Sequence, residues 1–204
     1  GTNVVQIAAG YDSSAALTAA GEVFVWGKNT GQVSFLSGTS NQPDPTHIAS
    51  LGTDTVQLAL GAHRHGQHAL ALKQSGVVFS WGQGAYGALG LGDFSSRTSP
   101  TEVTDLGTDN ILLAAHGFGG IALKTDGRLF NWGWNYNNAL GDSRDDDWST
   151  GRHPSPAQLV AVGSDNECVV AGMIGFAPQA LLLKTDGSVV SWGRRDGQAD
   201  SQVR

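Results

Sequence analysis

The stretch "KTDGRLFNWG" at residues 124–133 decides the fold, because it returns at 184–193 as "KTDGSVVSWG". In both copies an Asp-Gly pair separates two apolar runs, which predicts a hairpin turn with positive φ at both central residues. Less similar copies stand at 18–27, "TAAGEVFVWG", and at 73–82, "KQSGVVFSWG". Four copies indicate a repeated structural unit rather than a duplicated active site.

The repeat extends upstream of these copies. A "G-T/S-D/N" turn opens each unit, and a short apolar run rich in β-branched residues follows it, as in "VVQIAAG" and "TVQLALG". The predicted repeats of the single domain 1–204 are 1–51, 52–106, 107–162 and 163–204, the last incomplete. Repeats two and four each carry a four-residue insertion. In repeat two the insertion falls in "HRHGQH" at 63–68, which we predict to be a loop.

Each unit is predicted to hold several short antiparallel strands. No segment combines a sustained 3.6-residue apolar period with caps at both ends, so helix should be scarce. A unit of about fifty residues cannot bury both faces of its sheet alone and must stack on its neighbours. The sequence therefore predicts an all-β chain made of β-propeller blades or a comparable repeat array.

Two longer segments, "ALKTDGRLFNWGWNYNNALGD" at 122–142 and "ALKQSGVVFSWGQGAYGALGLGDFSSRTSPTEV" at 71–103, resemble the regulator-of-chromosome-condensation repeat family. The resemblance covers essentially the whole chain and implies a seven-bladed β-propeller, of which about four blades are present. We therefore expect an excerpt of a longer polypeptide, with a four-bladed ring or a half-ring completed by another chain as alternatives. The family's histidine before Ala-Leu is kept only at His68.

Composition excludes several classes of partner. The net charge is −6 and no block of Lys or Arg could track a phosphate backbone, which argues against general nucleic-acid binding. No apolar run is long enough for a membrane-spanning helix. Cys168 is the single cysteine, and its apolar neighbours predict a buried thiol in a strand. The composition is compatible with a secreted or cell-surface setting without requiring it.

Two groups of residues are candidate metal ligands. His63, His65 and His68 could supply three imidazoles to one ion, with a solvated or partner-contacting segment as the alternative. The stretch "GDSRDDDW" at 141–148 could bind calcium through its carboxylates, although its spacing does not match an EF-hand loop; these are Asp142, Asp145, Asp146 and Asp147. A solvated acidic loop or a contact surface is the alternative, and no cofactor is predicted.

Three aromatic residues are candidates for protein binding. Trp26, Trp81, Trp132 and Trp192 recur in register and are predicted to pack between blades. Trp134 and Trp148 break that register and lie in polar stretches, with Tyr136 beside the first. Because large aromatics anchor interfaces, Trp134, Tyr136 and Trp148 form the predicted interaction hot spot, with packing inside their loops as the alternative.

The predicted function is that of a non-catalytic, protein-binding propeller scaffold that presents variable loops. No nucleophile elbow or phosphate-binding loop occurs in the sequence. The predicted partner is a protein, other copies or parts of the same assembly included. One alternative is a structural segment of a large extracellular or filamentous assembly. The other, implied by the resemblance alone, is nucleotide exchange on a small GTPase or a chromatin-associated role, although no residue here matches an exchange loop.

Overall fold

The computed structural model describes residues 3–28, 41–63, 66–142, 150–174 and 177–193. Within these ranges the chain forms fifteen β-strands and four short 3₁₀ helices. The strands are β1 Val4–Ala9, β2 Ser13–Thr18, β3 Val23–Gly27, β4 Gln42–His47, β5 Thr55–His63, β6 Gly66–Lys73, β7 Val78–Gly82, β8 Arg97–Glu102, β9 Asn110–His116, β10 Gly119–Lys124, β11 Leu129–Trp134, β12 Arg152–Gln158, β13 Asn166–Ile174, β14 Ala177–Lys184 and β15 Val189–Gly193.

The strands form four antiparallel meanders, which we call blades 1 to 4. Blade 1 contains β1–β4, blade 2 contains β5–β8, blade 3 contains β9–β12 and blade 4 contains β13–β15. The first strands of successive blades, β1, β5, β9 and β13, neighbour one another. This arrangement is a partial β-propeller, as the sequence predicted.

Apolar residues from facing sheets hold the blades together. Between blades 1 and 2 the buried set is Ala15, Leu17, Val23, Val25, Leu51, Leu58, Ala69, Ala71 and Trp81. Equivalent clusters fill the next two interfaces and contain Trp132 and Trp192. The in-register tryptophans of blades 2, 3 and 4 therefore pack between blades, which confirms that prediction for Trp81, Trp132 and Trp192.

The helices are scarce, as expected, and all of them are single turns. They span Ala49–Leu51, Ala85–Gly87, Thr104–Leu106 and Val160–Val162. Three of them follow an outermost strand and end at a glycine with positive φ, namely Gly52, Gly107 and Gly163. No helix in the described ranges has the length and apolar character needed to cross a membrane.

The repeated hairpin turn differs in detail from the prediction. Gly127 has φ +78°, but Asp126 does not adopt positive φ. The N–H of Gly127 donates to the carbonyl of Lys124 at 3.0 Å, and the N–H of Lys124 donates to the carbonyl of Arg128 at 2.9 Å. The connection is therefore a three-residue loop with one left-handed glycine, which explains why Ala20 and Ser75 can replace Asp before the glycine in blades 1 and 2.

The insertions of repeats two and four lengthen strands and are not purely loops. In blade 2 the pairing of β5 with β6 continues through Gly61↔His68 to His63↔Gly66. β13 and β14 of blade 4 have the same nine- and eight-residue lengths as β5 and β6. The extra residues extend antiparallel ladders, so the backbone groups of His63 and His68 are held in a sheet.

Candidate functional site

A stack of aromatic rings lies where β11 ends. Trp134 is 1% exposed and its ring lies between two tyrosines. The ring centroid of Tyr86 is 4.7 Å away on one side with an interplanar angle of 21°, and that of Tyr136 is 4.9 Å away on the other at 19°. Tyr86 belongs to blade 2 and Trp134 to blade 3, so the stack joins two blades.

Phe118 closes the stack from the side. Its ring packs edge-on against Trp134 at 4.9 Å and against Tyr86 at 5.0 Å. His63, at the end of β5, lies 4.5 Å from the Phe118 ring. We call Tyr86, Phe118, Trp134 and Tyr136 the aromatic cluster; such pairs contribute about 0.5–1.5 kcal/mol each beyond the area they bury.

The positively charged side chain of Arg152 lies over one ring of the cluster. The guanidinium carbon of Arg152, on β12, is 5.1 Å from the centroid of the Tyr86 ring, within the range of a cation–π contact. Arg152 is exposed, while Tyr86 and Tyr136 are half-buried. Arg152 and the two tyrosines are therefore solvent-accessible, while Trp134 is buried.

The backbone around the cluster is tightly held. Tyr86 has φ +67°, an unusual conformation for a non-glycine residue. A Cβ on the next residue, Gly87, would lie 2.7 Å from the Cα of Pro154, so the 3₁₀ turn that ends at Gly87 touches β12 through backbone. On the other side, the N–H of Asn135 donates to the carbonyl of Gly151 at 2.7 Å, and Asn135 Oδ1 accepts from the N–H of Leu140 at 2.8 Å.

Two buried histidines lie beneath the cluster. His68 Nε2 is 3.2 Å from the carbonyl oxygen of Gly119. Burial lowers the pKa of His68 to about 4, against the opposing effect of that backbone contact. Burial, reinforced by repulsion from His68, lowers the pKa of His116 to about 3. Both side chains are therefore neutral at physiological pH.

The cleft beside these histidines is too small for an organic ligand. It is lined by His68, Tyr86 and Phe118, and its volume of about 10 Å³ suits roughly one water molecule. Small-molecule sites are typically about 300–1,000 Å³. This cleft is therefore too small to hold an organic substrate.

The predicted metal ligands are not brought together in the part of the chain that can be described. His63 is buried against Phe118 and His68 is buried against Gly119, while His65 lies outside the described residues. Asp142 is half-buried, and Asp145, Asp146 and Asp147 lie outside the described residues. Within the described ranges no group of three or more His, Cys, Asp or Glu side chains could hold a metal ion.

The predicted hot-spot residues have different environments. Trp134 is buried and stacks on Tyr86 and Tyr136. Tyr136 is half-buried and accessible, and Trp148 lies outside the described residues. The sequence interpretation missed Tyr86, Phe118 and Arg152, because their contacts with the stack cross between blades or between loops far apart in sequence. Cys168 was predicted to be buried and is instead half-exposed on blade 4.

Comparison with known proteins connects the repeated blades to a family. The model described as "Regulator of chromosome condensation (RCC1) repeat" matches residues 75–118, and a second model with the same description matches residues 4–31. The chain belongs to the RCC1-repeat family. The aromatic cluster joins a residue inside the first match, Tyr86, to residues beyond it.

Relatives of this RCC1-repeat chain include much longer proteins. It is 30% identical over 195 residues to the ultraviolet-B receptor UVR8 of Arabidopsis thaliana, a match that covers 95% of this chain and 42% of UVR8. It is 32% identical over 199 residues to the E3 ubiquitin-protein ligase HERC2 of Homo sapiens, covering 96% of this chain and 4% of HERC2. The RCC1-repeat chain thus spans less than half the length of either relative.

Solved structures show the same fold. The crystal structure of human WBSCR16 superposes with a TM-score of 0.77 at 26% identity, covering 99% of this chain and 52% of that one. Yeast RCC1 (Prp20), solved bound to Kap60, superposes with a TM-score of 0.76 at 24% identity, covering 94% and 44%. The RCC1-repeat chain therefore corresponds to about half of each of these structures.

Proposed function

We propose that this chain is a non-catalytic, protein-binding propeller scaffold whose binding surface is formed by Tyr86, Tyr136 and Arg152. The observation that carries the proposal is the aromatic cluster, in which buried Trp134 holds both tyrosines in fixed, stacked positions. The four in-register tryptophans belong to the repeat, whereas Trp134 does not. The cluster is thus a local addition to a repeated scaffold, which is where function on such folds resides.

The chemistry of the surface suits a protein partner. Tyrosine and arginine are enriched among the residues that dominate interface energies, together with tryptophan. Tyr86 and Tyr136 are already fixed by stacking, so little side-chain entropy is lost when a partner orders them. Arg152 adds a positive charge beside an aromatic face, which favours a partner that carries a carboxylate at this point.

The relatives give this proposal its context. Among the similar proteins, UVR8 is named a receptor and HERC2 a ubiquitin-protein ligase, and Prp20 has been solved with a bound protein, Kap60. We extend from them to this chain only the general expectation of protein binding. Trp148, which follows the acidic residues Asp145, Asp146 and Asp147, remains a second candidate for protein binding and lies outside the described residues.

Affinity capture with quantitative mass spectrometry tests the proposal. The wild-type chain and the variants Arg152→Glu and Tyr136→Ala are used as baits, and each specifically enriched protein is compared across baits. We expect at least one protein to bind the wild type and to be enriched at least roughly tenfold less by both variants. Truncating a hot-spot residue removes about 2 kcal/mol or more of binding free energy.

A matched control separates this surface from a general effect of losing an exposed aromatic. Tyr11 is exposed on blade 1, away from the cluster, so Tyr11→Ala should retain the same proteins. The proposal fails if every captured protein is retained equally by Arg152→Glu, Tyr136→Ala and the control. Circular dichroism of each variant verifies that the blades remain folded.

A further inference from the structure

The loop between β7 and β8 exposes a phenylalanine. Phe94 is 52% exposed and stands between Asp93 and Ser95. Asp93 Oδ1 accepts a hydrogen bond from the Ser95 N–H at 2.8 Å, and Asp93 Oδ2 accepts one from the Arg97 guanidinium at 2.7 Å. The same guanidinium donates to the Ser95 carbonyl at 2.9 Å. These hydrogen bonds fix the turn that carries Phe94, so little conformational entropy is lost when a partner covers its ring.

This loop lies against the strand that carries Arg152. The N–H of Gly92 donates to the carbonyl of Pro154, on β12, at 3.0 Å. Phe94 stands two residues beyond Gly92, and Arg152 stands two residues before Pro154. Because an extended chain advances at most about 3.6 Å per residue, the Cα atoms of Phe94 and Arg152 lie within about 20 Å of each other. An interface of ordinary size, about 800 Å² on each protein, spans both side chains.

Arg152 is the exception among the basic side chains of the described ranges. It is exposed, yet it forms no ion pair with a described carboxylate. The other lysines and arginines of these ranges each pair with an aspartate; they are Lys28, Lys73, Arg97, Lys124, Arg128 and Lys184. In a chain of net charge −6, this favours a carboxylate supplied by a partner. The planar guanidinium can bind both oxygens of such a group.

Tyr86, whose ring lies under Arg152, has a backbone conformation that disfavours tyrosine. Its φ is +67°, and the equivalent residue of blade 3, counted from the Ala-Leu-Gly sequence that both loops share, is Asn137 with φ +58°. Asparagine tolerates this left-handed region, whereas a tyrosine is sterically strained there. Residues held in such conformations cluster at functional sites. The Tyr86 side chain therefore does more than form the turn, since it stacks on Trp134 and supports Arg152.

We propose that the binding surface accepts an extended acidic segment of the partner protein, whose carboxylate pairs with Arg152 and whose apolar side chain packs on Phe94. This proposal rests on the proposed function and adds Phe94 to its surface. A segment of about six extended residues spans about 20 Å, so both contacts fall within that length. Pro154 and Pro156 have no N–H groups, so β12 is a poor template for an added strand and side chains carry the recognition.

Selection from a displayed library of random dodecapeptides tests the pairing. The immobilised wild-type chain is the target, and peptides that bind an Arg152→Glu chain are removed beforehand. We expect the enriched peptides to share an aspartate or glutamate within about six residues of an aromatic or aliphatic side chain. A selection that enriches no peptide with this pairing overturns the proposal.

Titration of the most enriched peptide by fluorescence anisotropy locates its contacts. Phe94→Ala and Arg152→Met should each raise its Kd at least roughly tenfold. Val160→Ala and Arg128→Met are the matched controls, because Val160 follows the far end of β12 and Arg128 precedes β11, at the opposite end of blade 3 from Arg152. Both controls should leave the Kd unchanged, and circular dichroism verifies that every variant is folded. A Kd that neither Phe94→Ala nor Arg152→Met raises overturns the proposal.

A double-mutant cycle identifies the group that meets Arg152. Replacing the acidic residue of the peptide by its amide should raise the Kd as much as Arg152→Met does, and combining the two changes should add little. Additive losses would place the carboxylate elsewhere and overturn the proposal. If the peptide results fail while Tyr136→Ala still releases captured proteins, the acidic-segment proposal is wrong and the proposed function stands. If Tyr136→Ala and Arg152→Glu retain every captured protein, the proposed function itself fails.

Discussion

The side-chain amide of Gln57 forms two hydrogen bonds with the backbone of Leu113. Nε2 donates to the Leu113 carbonyl at 2.9 Å, and Oε1 accepts from the Leu113 N–H at 2.8 Å. Gln6 does the same with Leu58, at 2.8 and 2.9 Å. In blades 1 and 2, a glutamine side chain on the first strand thus makes both hydrogen bonds to the backbone of a residue on the first strand of the next blade.

Removing this clamp should destabilise the interface between blades 2 and 3. Gln57→Ala leaves both backbone groups of Leu113 without their partner, so we expect the free energy of unfolding to fall by about 1–3 kcal/mol. Urea unfolding followed by tryptophan fluorescence measures it. Gln74→Ala is the control, since Gln74 is exposed, and it should stay within about 0.5 kcal/mol of the wild type. Equal effects of the two substitutions would contradict a stabilising role for the two Gln57 hydrogen bonds.

A lysine recurs in blades 2, 3 and 4, buried in the first two and half-buried in blade 4, and should contribute to their stability. Lys124 Nζ donates to the Leu106 carbonyl and to the Asp109 carboxylate, and Lys73 and Lys184 make the equivalent contacts. Lys124→Met keeps much of the apolar stem but leaves the Leu106 carbonyl with only the long 3.4 Å hydrogen bond from Asn110 Nδ2, so we expect the free energy of unfolding to fall by about 2 kcal/mol.

The exposed pair of Lys28 with Asp12 provides the comparison for Lys124. These two groups are 3.4 Å apart on the surface, where an ion pair contributes only about 0–1 kcal/mol. Lys28→Met should therefore hardly change the urea midpoint. If Lys124→Met changes the urea midpoint as little as Lys28→Met does, the hydrogen bonds of Lys124 do not stabilise the fold.

The two buried histidines should make the fold sensitive to acid. Both have pKa values lowered from 6.5, to about 4 for His68 and about 3 for His116, so below pH 6.5 the unfolded chain binds protons that the folded chain does not. Stability is retained above pH 6.5 and falls as the pH drops towards 4, by up to about 1.4 kcal/mol per pH unit for each histidine.

His68→Gln tests the origin of that acid sensitivity. The substitution is present naturally in blade 4, where Gln179 occupies the same register position. Urea unfolding between pH 7 and pH 4.5 should show a shallower decline for His68→Gln than for the wild type. The exposed His47→Gln variant controls for the loss of any histidine. A slope that His68→Gln leaves unchanged would assign the acid sensitivity to other groups.

Two equivalent glycines should respond differently to alanine. Gly127 and Gly187 have φ of +78° and +83°, so each substitution carries left-handed strain of about 1–2 kcal/mol. Only Gly127 is covered by the next blade, and its added methyl group overlaps the Ser164 carbonyl. Gly127→Ala should lower the free energy of unfolding of the 204-residue chain by about 1–3 kcal/mol more than Gly187→Ala does, as measured by urea unfolding. Equal losses would mean that blades 3 and 4 are not stacked closely at this turn.

Much of the fold could be predicted from sequence because its determinants are local. The glycine turns and the Trp-Gly ends recur at fixed spacing, and the short apolar runs rich in β-branched residues predict strands. For the insertion at 63–68 the sequence predicts a loop, and only the pairing of Gly61 with His68 reveals that the insertion continues a sheet. The bounds of the domain and its four repeats remain predictions.

The candidate site was harder to predict, because its contacts join separate blades. Trp134 lies in a polar stretch and was expected at a surface, yet Tyr86, forty-eight residues earlier in the sequence, covers one face of its ring. Arg152 reaches the same stack from β12. The sequence does contain one indication of Tyr86. It lies between two glycines in "GAYG" at 84–87, a pattern that favours a constrained, outward-facing turn.

The central claim is that this scaffold binds protein through the surface of Tyr86, Tyr136 and Arg152. Amide hydrogen exchange of the chain, compared with and without a captured partner, tests it most directly. We expect slowed exchange in the segments 83–88, 134–138 and 152–154 when the partner is present. The segment around exposed Tyr11 on blade 1 should exchange at the same rate with and without it. Protection confined to blades 1 and 4, with no change in these three segments, would contradict the account.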